Sequence, residues 1–451
     1  MLKWFKEFFY KMSPQRWIFV YYLLALFIAT IFLSFPLFYR GIKDIQLIDT
    51  VFVAASALSV TGLTPVSISE TFNGGGYIVI MLIMNLGGIG IMALGTLIWV
   101  FFGRRIGLRE RMQIMVDNNQ VKMAGAVKLV VEIFKTLIFI EVVGAFIYVI
   151  YFMNISGDIG YSLMTGIFLS VSATTNAGMA LFDNSLIEYT ESYFLQFVVM
   201  LQIMSGAIGF PVLIELREYF SRRQKKFRFS LFTKVTTSTY GLLLAVGTFF
   251  IFVMESQNYF QNDSWFKTLS NSFFASSTTR SGGLTTVDPA FFADGTQVVM
   301  SGLMFIGASP SSAGGGIRTT TFALLILFLI AFSRGRERVN VFNREIAQED
   351  MRRAFAVVSL AVLLVFSGIV SIVVIEDSRF DLIDVIFEVT SAFGTCGLST
   401  GITDDLSAPS KVIIMMFMFI GRIGFISFLF SIGGRQHELP YHYPKERILI
   451  G

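Results

Sequence analysis

The chain has 451 residues, of which 54% are hydrophobic and 15% are charged, and its mean hydropathy is +0.68. A soluble domain carries about 25% charged residues because its surface faces water, so this composition excludes an ordinary soluble fold. The net charge of +4 comes from short basic runs between apolar segments, which indicate membrane topology and not a nucleic-acid surface.

Apolar runs of two lengths alternate along the chain. A helix that crosses the hydrocarbon layer needs about 20 apolar residues, and a run of about 10 to 14 is too short to cross. The long runs predict spanning helices at 17–39, 77–102, 129–153, 194–216, 235–254, 296–332, 354–375 and 410–433. A short run lies inside each successive pair of long runs, at 47–58, 161–174, 266–278 and 381–393.

A short helix that enters the membrane from one side must return to that side. The sequence therefore predicts an all-α polytopic membrane protein with eight spanning helices and four re-entrant pore helices. Four repeats, each an outer helix, a pore loop and an inner helix, would surround a central pore. The predicted repeats are 17–102, 129–219, 235–332 and 354–433, with linkers at 103–128, 220–234 and 333–353, an N-terminus at 1–16 and a tail at 434–451.

The basic residues lie in the linkers and at both ends of the chain, and positive charge marks the cytoplasmic side of a membrane. They include Lys6, Arg16, Arg104, Arg111, Arg217, Arg228, Arg334, Arg353, Arg435 and Lys445. The segments that flank the short runs are acidic or neutral instead, as Asp183, Asp288 and Asp404 illustrate. We therefore expect both termini on the cytoplasmic side.

Each short run ends in a seven-residue segment that begins with serine and ends with glycine. These four glycine segments are SALSVTG (56–62), SATTNAG (172–178), STTRSGG (277–283) and SAFGTCG (391–397). A second glycine follows each of them at a similar distance, in NLGGIG, MSGAIG, FIGASP and FIGRIG, at Gly87, Gly206, Gly307 and Gly421. Because both glycine positions recur at similar spacing in all four repeats, we predict that the four repeats share one structure.

The ends of the glycine segments are predicted to form the selectivity filter of a cation pathway. A cation that leaves water needs oxygen ligands, and rings of backbone carbonyls supply them. Extended backbone at membrane depth is tolerated where it lines a water-filled cavity, and glycine permits the conformation. The predicted filter residues are Val60, Thr61, Gly62, Asn176, Ala177, Gly178, Ser281, Gly282, Gly283, Thr395, Cys396 and Gly397. The alternative for any single glycine is close helix packing, which is common in membranes.

The third inner helix differs from the other three. Its apolar run is interrupted by GASPSSAGGGIR (307–318), where several glycines and Pro310 should break the helix. We interpret this break as a gate inside the pore, and a kink without a gating role is the alternative. The predicted gate residues are Ser309, Pro310, Ser311, Ser312, Ala313, Gly314, Gly315, Gly316 and Arg422.

Charged residues at membrane depth are costly and usually functional. Arg422, in the fourth inner helix, is expected to pair with carbonyls of the broken third helix. Arg280 is expected to hold filter carbonyls or neighbouring carboxylates, and Glu141 is either functional or a buried structural partner. Cys396 is the only cysteine, which excludes an intrachain disulfide, and we interpret it as a backbone contributor.

The segments SVTGL, TNAG, GASPSSAGGGIR, FGTCGL and FIGRIG together resemble the Ktr/Trk/HKT superfamily of cation transporters. Within it, the chain is most similar to the membrane subunits of the Ktr potassium uptake system, over nearly its whole length. The resemblance implies potassium as the transported ion, held at the filter backbone, in the plasma membrane of a bacterium. It also implies a gating role for the broken third inner helix and for Arg422.

The same resemblance implies partners. Ktr membrane subunits are homodimers with one pore in each protomer, set in the lipid membrane above a cytoplasmic ring of nucleotide-binding regulatory subunits. The nucleotide is expected on that ring, so no cofactor is predicted in this chain. The resemblance is compatible with sodium-dependent potassium uptake and with uptake that does not depend on sodium.

Three alternatives remain open at the level of the sequence. A sodium-permeable or poorly selective HKT-like transporter is the direct competitor; the four retained filter glycines favour potassium, while Ser59, Thr175 and Thr279 depart from residues common in relatives. An intramembrane enzyme is disfavoured because the two histidines, His437 and His442, both lie in the polar tail. A secondary transporter with inverted repeats is disfavoured because all linkers are predicted on one side.

Overall fold

The computed structural model of the protein describes residues 14–41, 45–90, 112, 126–221, 227–336, 338–424 and 446. Most of the predicted N-terminus 1–16, linker 103–128 and tail 434–451 lies outside these residues, as do His437 and His442. The described part consists of helices and one small hairpin.

The helices are α1 (Pro14–Leu33), α2 (Leu47–Ser59), α3 (Ile68–Thr71), α4 (Gly74–Ile89), α5 (Ala126–Ser156), α6 (Ile159–Thr175), α7 (Tyr193–Ala207), α8 (Phe210–Phe220), α9 (Leu231–Glu255), α10 (Trp265–Thr278), α11 (Asp294–Phe305), α12 (Thr319–Ser333), α13 (Gln348–Ile375), α14 (Leu382–Gly394) and α15 (Ala408–Ile423). Short 3₁₀ turns lie at Pro36–Phe38, Ile187–Tyr189 and Pro289–Phe291. Strands β1 (Asn340–Val341) and β2 (Arg344–Glu345) form an antiparallel hairpin between α12 and α13.

Four long apolar helices, α1, α5, α9 and α13, coincide with the predicted outer helices. By length and composition, these are the four described helices that could each cross a membrane, and the bent pair α7–α8 would be a fifth. Each carries large apolar side chains on its outer face: Phe27, Phe139, Phe249 and Phe366 are between 61% and 68% exposed. Such faces are expected where the surrounding solvent is lipid.

The four short helices α2, α6, α10 and α14 lie inside this shell and coincide with the predicted short runs. Their first turns are capped by polar side chains in two cases, Asp158 before α6 and Ser264 before α10. Their last turns are buried, and small residues there allow neighbouring backbones to approach. We call these four the central helices.

Within the described residues the inner helices end or break at a glycine or at the intramembrane loop in all four repeats, whereas the sequence predicted an interruption only in the third. Helix α4 ends before Gly90, the α7–α8 pair bends by 107° around Gly209, and α15 ends before Gly424. These glycines have φ values of +95°, +101° and +90°, which side chains rarely adopt, so a regular helix cannot continue through them. The predicted span 194–216 is therefore not one continuous helix but the bent pair α7–α8. Residues 91–102 and 425–433 of the other two predicted spans lie outside the described residues.

In the third repeat, α11 ends at Phe305 and α12 begins at Thr319, so a non-helical segment replaces almost four turns of helix. We call residues 306–318 the intramembrane loop. It contains Pro310 and three consecutive glycines, which explains why the helix does not continue.

Buried carboxylates join outer to inner helices in the third and fourth repeats. Glu255, at the end of α9, is fully buried and accepts hydrogen bonds from Ala293 N (3.0 Å) and the Thr296 hydroxyl (2.5 Å) at the start of α11. Glu376, just after α13, accepts from Ser407 N (2.9 Å) and Oγ (2.7 Å) before α15. Each carboxylate thereby satisfies donors at a helix N-terminus and favours its positive end.

The first and fourth repeats are also in contact, which closes the bundle. Lys411 of α15 donates to Asp49 of α2 at 2.8 Å, and their side chains are only 8% and 14% exposed. Helices α15 and α2 pack along one another around this pair. The helices of all four repeats together thus surround the group of four central helices.

Candidate functional site

The four glycine segments share two positions with left-handed or other positive-φ backbone. The residue two positions before each terminal glycine is left-handed although it is not glycine: Val60, Asn176, Ser281 and Thr395 have φ values of +59°, +60°, +63° and +46°. The terminal glycines Gly62, Gly178, Gly283 and Gly397 also have positive φ, at +101°, +69°, +69° and +89°. The four segments, which were identified by their serine-to-glycine spacing, therefore also match in backbone geometry at these two positions.

Left-handed backbone is unfavourable for these residues. It costs roughly 1–2 kcal/mol per non-glycine residue, and β-branched residues such as Val60 and Thr395 are uncommon there. Strain of this kind persists where surrounding contacts impose it, often at functional sites. Its recurrence at one position in four repeats indicates that the path of the backbone itself is what the site requires.

Hydrogen bonds to the first serine hold three of the segments in this shape. The residue before the terminal glycine donates its N–H to that serine's carbonyl, from Thr61 to Ser56 (2.9 Å), Ala177 to Ser172 (2.8 Å) and Cys396 to Ser391 (2.8 Å). The serine hydroxyl also accepts from Gly62 N (3.0 Å) and Gly397 N (3.1 Å). The third segment differs, because Gly282 N donates to Thr278 O at 2.7 Å.

The terminal glycines form a closed ring. A methyl group at Gly62 would lie 2.5 Å from Ala177 O, one at Gly178 2.6 Å from Gly283 Cα, and one at Gly283 2.6 Å from Cys396 O. A methyl group at Gly397 would overlap Thr61 O and lie 3.0 Å from Gly62 Cα. The contacts therefore run from repeat one to two, three, four and back to one, and the ring has no room for a side chain.

Carbonyl oxygens accompany the ring. Those of Thr61, Ala177, Gly282 and Cys396, each directly before a terminal glycine, all lie beside the glycine of a neighbouring repeat. The ends of the central helices bring them there, and a helix C-terminus carries partial negative charge. Backbone oxygens of this kind can replace the hydration shell of a monovalent cation.

A cavity of about 260 Å³ opens on one side of the ring, and we call it the mouth cavity. All four terminal glycines line it, together with Asp183 and Asp288. Asp183 accepts hydrogen bonds from Ser67 (2.6 Å) and Ser69 and so joins the first and second repeats. Carboxylates that line a cavity raise the local concentration of cations.

A much smaller cavity, of about 40 Å³, borders the intramembrane loop, and we call it the loop cavity. It is lined by Gly87, Gly88, Gly90, Phe210, Ser311, Ser312, Arg318 and Arg422, with Ile18, Tyr22, Leu58, Ile89 and Ile423. This volume holds only a few water molecules. Any pathway through it is narrow in this conformation.

The intramembrane loop is attached to the broken ends of its neighbours. Ser309 N donates to Ala207 O (3.0 Å) and Ala313 N to Gly206 O (3.0 Å), both at the end of α7, and Gly316 N donates to Gly421 O (3.2 Å) in α15. Helix ends leave carbonyls without intrahelical partners, and buried ones must be satisfied elsewhere. The loop supplies those donors.

The loop also packs against the glycine segments. Methyl groups at Gly314 and Gly315 would lie 2.6 Å from the side chains of Ser281 and Thr395, respectively. These are the left-handed residues of the third and fourth segments. The predicted filter and gate residues are therefore neighbours in this part of the fold.

Arg422 joins two broken inner helices. Its guanidinium donates to Ala313 O in the loop, to Gly87 O, and to Gly88 O at 3.1 Å near the end of α4. Arg318 donates to carbonyls within the loop, those of Ser309 (3.4 Å) and Gly314. The sequence indicated the first of these contacts but not the attachment to α4.

Arg280 has hydrogen-bond partners that differ from those expected. It donates to Leu303 O (3.1 Å) and Ile306 O (2.7 Å), at the end of α11, and among the described residues it donates neither to carbonyls of the glycine segments nor to a carboxylate. Glu141 is buried, with 7% exposure, and its backbone carbonyl accepts from Ser170 Oγ at 2.7 Å. Cys396 contributes its carbonyl to the ring, and its buried thiol donates to Thr278 O at 3.2 Å.

The second landmark glycines have a packing role that spacing alone did not reveal. Methyl groups at Gly87, Gly206 and Gly421 would overlap Leu58 O, Thr174 O and Phe393 O, in the last turns of the central helices. Gly307 meets Gly315 O of the intramembrane loop instead. The glycines three residues later, Gly90, Gly209 and Gly424, mark the helix breaks. The Gly-x-x-Gly pairs in NLGGIG, MSGAIG and FIGRIG were the available signal for those breaks.

Comparison with known proteins gives concordant results. Residues 17–433 match TrkH, a family described as cation transport proteins. The chain is 46% identical over 440 residues to the Ktr system potassium uptake protein D of Bacillus subtilis (strain 168), covering 98% of each chain. It is 32% identical over 451 residues to the potassium/sodium uptake protein NtpJ of Enterococcus hirae, again covering 98% of each.

Among solved structures, the potassium transporter TrkH from Vibrio parahaemolyticus matches with a TM-score of 0.67 and 17% sequence identity. The match covers 86% of this chain and 79% of that one. At this level of identity the likeness establishes the fold alone.

Proposed function

Since this chain belongs to the TrkH family of cation transport proteins, it is a multi-pass cation transporter, and we propose that the ion it takes up is potassium. The ion would cross through a channel-like pore whose selectivity filter is the ring of four terminal glycines. The observation that carries this proposal is the closed, cyclic contact of Gly62, Gly178, Gly283 and Gly397 with the preceding carbonyls of neighbouring repeats.

The filter residues are those predicted from the sequence, three in each repeat. Potassium would be held by their backbone carbonyls, which substitute for its hydration shell. The acidic mouth cavity would supply the ion, with the mouth on the outer face of a bacterial plasma membrane and both termini in the cytoplasm. Eight membrane crossings and four re-entrant helices complete this architecture.

The gate would consist of Ser309–Gly316 and Arg422. The loop packs against Ser281 and Thr395 and lines the loop cavity, and its hydrogen bonds to α7 and α15 and its contact with Arg422 hold it there. The cavity of about 40 Å³ is consistent with a non-conducting conformation. Opening would then require the loop to leave Arg422.

The regulatory signal would come from outside this chain. We propose a homodimer on a cytoplasmic ring of nucleotide-binding subunits, because the chain is similar over nearly its full length to a Ktr system protein. A nucleotide bound by that ring would bias the loop between its two positions. The chain itself would carry no cofactor besides the transported potassium.

A second candidate is a potassium and sodium transporter with weaker selectivity. Its support is the similarity to the potassium/sodium uptake protein NtpJ. Sodium dependence of potassium uptake would be a third arrangement with the same ring. Ion competition distinguishes these possibilities, because each predicts a different effect of sodium on potassium flux.

The deciding experiment is cation flux into liposomes that contain the purified protein, with potassium and sodium gradients applied separately and together. Potassium flux well above sodium flux supports the proposal, and equal fluxes support the weakly selective alternative. If the protein alone is silent, the regulatory ring is added before the proposal is judged. Absence of potassium flux with the ring present would refute it.

A further inference from the structure

The third glycine segment carries a large charged residue where the other repeats have small ones. Counted three residues before the terminal glycine, the four positions hold Ser59, Thr175, Arg280 and Gly394. Arg280 has no solvent exposure and is the largest fully buried side chain among the described residues. Burying an arginine without a carboxylate is costly, so its contacts require an explanation.

Those contacts satisfy the end of a broken helix. Helix α11 stops at Phe305, and its final carbonyls lack the N–H donors that a continuing helix would provide. Arg280 donates to Leu303 O in this last turn and to Ile306 O, the C-cap residue that begins the intramembrane loop, while Ile317 N donates to Phe305 O. A cation at a helix C-terminus is also favoured by the helix dipole.

The half-helix that Arg280 holds is firmly packed. Glu255 caps the start of α11, and Met300 and Met304 lie in a buried cluster with Phe387 of α14 and Leu398 after the fourth glycine segment. The intramembrane loop that follows is joined to its neighbours by backbone hydrogen bonds, by Arg422, and by the buried side chains of Ala308, Ala313 and Ile317. Helix α11 therefore provides a fixed support next to a loop that the proposed gate must move.

Arg280 lies only three residues before Gly283 of the ring. The next residue, Ser281, is left-handed, and its hydroxyl donates to Gly394 O at 2.8 Å. Gly283 follows, where even a methyl group would lie 2.5 Å from Gly178 Cα and 2.6 Å from Cys396 O. With so little space, a displacement of Arg280 would move carbonyls of the ring.

We propose that Arg280 is a positioning residue for ion selection, which fixes the third glycine segment to the end of α11 so that the ring keeps its geometry when the intramembrane loop moves. In this arrangement Arg280 and Arg422 have different roles. Arg280 holds the permanent half of the broken helix, and Arg422 holds the movable loop. This inference rests on the proposed function, because it concerns selection at the same ring.

The test compares Arg280→Gln, Arg280→Lys and Arg422→Ala in the liposome assay, with Arg344→Gln on the exposed hairpin as a control. The readouts are total cation flux and the ratio of potassium to sodium flux. Arg280→Gln is expected to lower the ratio about tenfold, the effect of losing strong charged hydrogen bonds. Both hydrogen bonds come from one guanidinium nitrogen, Nη1, so Arg280→Lys keeps the charge and can keep part of the contact, and a smaller loss of about threefold is expected.

A folded Arg280→Gln protein with an unchanged ratio would overturn the proposal, as would one that raises total flux without altering the ratio, since that is the behaviour expected of a gate contact. If Arg280→Gln does not fold, Arg280→Lys decides in the same way: a lowered ratio supports the role and an unchanged ratio overturns it. A wild-type protein that passes both ions equally would instead refute the proposed function itself.

Discussion

At the scale of single residues, the proposed filter is formed at positions where no side chain fits. The four terminal glycines have positive φ and contact backbone atoms of the next repeat. The left-handed residues two positions earlier are not glycines, so the backbone path there is imposed by packing and not by local preference. Selectivity is therefore expected to be most sensitive to added volume at the ring.

Replacing Gly62 by serine should raise sodium flux relative to potassium flux. The new Cβ would lie 2.5 Å from Ala177 O, so the carbonyls of the first and second repeats must shift and would no longer match potassium. Gly302→Ser is the matched control, because a Cβ there meets nothing within 4 Å. The flux ratio in liposomes is the measurement, and equal ratios for both variants would remove Gly62 from the filter.

Sequence reasoning reached these residues because the signal was repeated. One serine-to-glycine spacing after one short apolar run means little, but four in register located the terminal glycines. It did not find the partner of Arg280, because the carbonyls of Leu303 and Ile306 carry no side-chain signature. Nor could the left-handed conformation of Val60 or Thr395 be predicted, since local propensity opposes it.

At the scale of elements, the central and outer helices could be predicted, and the inner helices only in part. Hydropathy distinguishes long from short apolar runs, and the structure places helices there. The inner helices break at Gly90, Gly209 and Gly424 although apolar residues continue past them, so a hydropathy window cannot detect the break. The Gly-x-x-Gly pairs were visible, but such pairs also occur in uninterrupted membrane helices.

Replacing Arg422 by alanine should raise potassium flux measured without the regulatory ring, by about tenfold if its charged hydrogen bonds account for the closed position of the loop. Arg422 is the described side chain that donates both to Ala313 O and to the end of α4. Arg353→Ala, which removes an arginine paired with Glu349 on an exposed face, serves as the control. Unaltered flux in a folded Arg422→Ala protein would contradict the gate.

The contact between α13 and α15 should be sensitive to acid. Burial alone would raise the pKa of Glu376, but hydrogen bonds from Ser410 and Ser407 and the charge of Arg379 outweigh it and hold that pKa below its ordinary value. The charged carboxylate therefore stabilises the fold above the ordinary glutamate pKa of about 4.3, and this stabilisation is lost as pH falls through the lowered value.

The corresponding measurement is the thermal unfolding midpoint of wild-type and Glu376→Gln protein between about pH 7 and pH 3. The unfolding midpoint of wild type should exceed that of Glu376→Gln by most at the highest pH, and the difference should shrink as the solution becomes acidic. A difference that stays constant across this range would show that the charge of Glu376 contributes nothing.

At the scale of the whole molecule, a single chain forms a ring by joining its last repeat to its first. Gly397 lies against Thr61, Arg422 donates to Gly88 O, and Lys411 pairs with Asp49. Sequence repeats predicted a cyclic arrangement, but they could not identify the joining residues. The Lys411 and Asp49 pair spans 362 positions and has no local pattern.

Breaking this pair should destabilise the protein strongly. Lys411→Met leaves the Asp49 charge buried without its partner, which costs roughly 3–5 kcal/mol of unfolding free energy. The double variant with Asp49→Asn should recover much of the lost unfolding free energy, because no charge is then buried without a partner. Lys135→Met removes an exposed partner of Glu132 and should change stability by less than about 1 kcal/mol.

Denaturant unfolding in detergent measures all four proteins. The expected order of unfolding free energy is wild type and Lys135→Met highest, the double variant between, and Lys411→Met lowest. A single Lys411→Met variant as stable as wild type would show that the pair does not hold the first and fourth repeats together.

The same closure has a consequence for biosynthesis. A ribosome delivers the repeats one at a time, and the partners that complete the ring for Thr61, Asp49 and Gly88 all lie in the repeat that is made last. A nascent chain with three inserted repeats cannot assemble the carbonyl ring around an ion. If the ring is the proposed filter, ion permeability is expected only after the fourth repeat has been made and inserted.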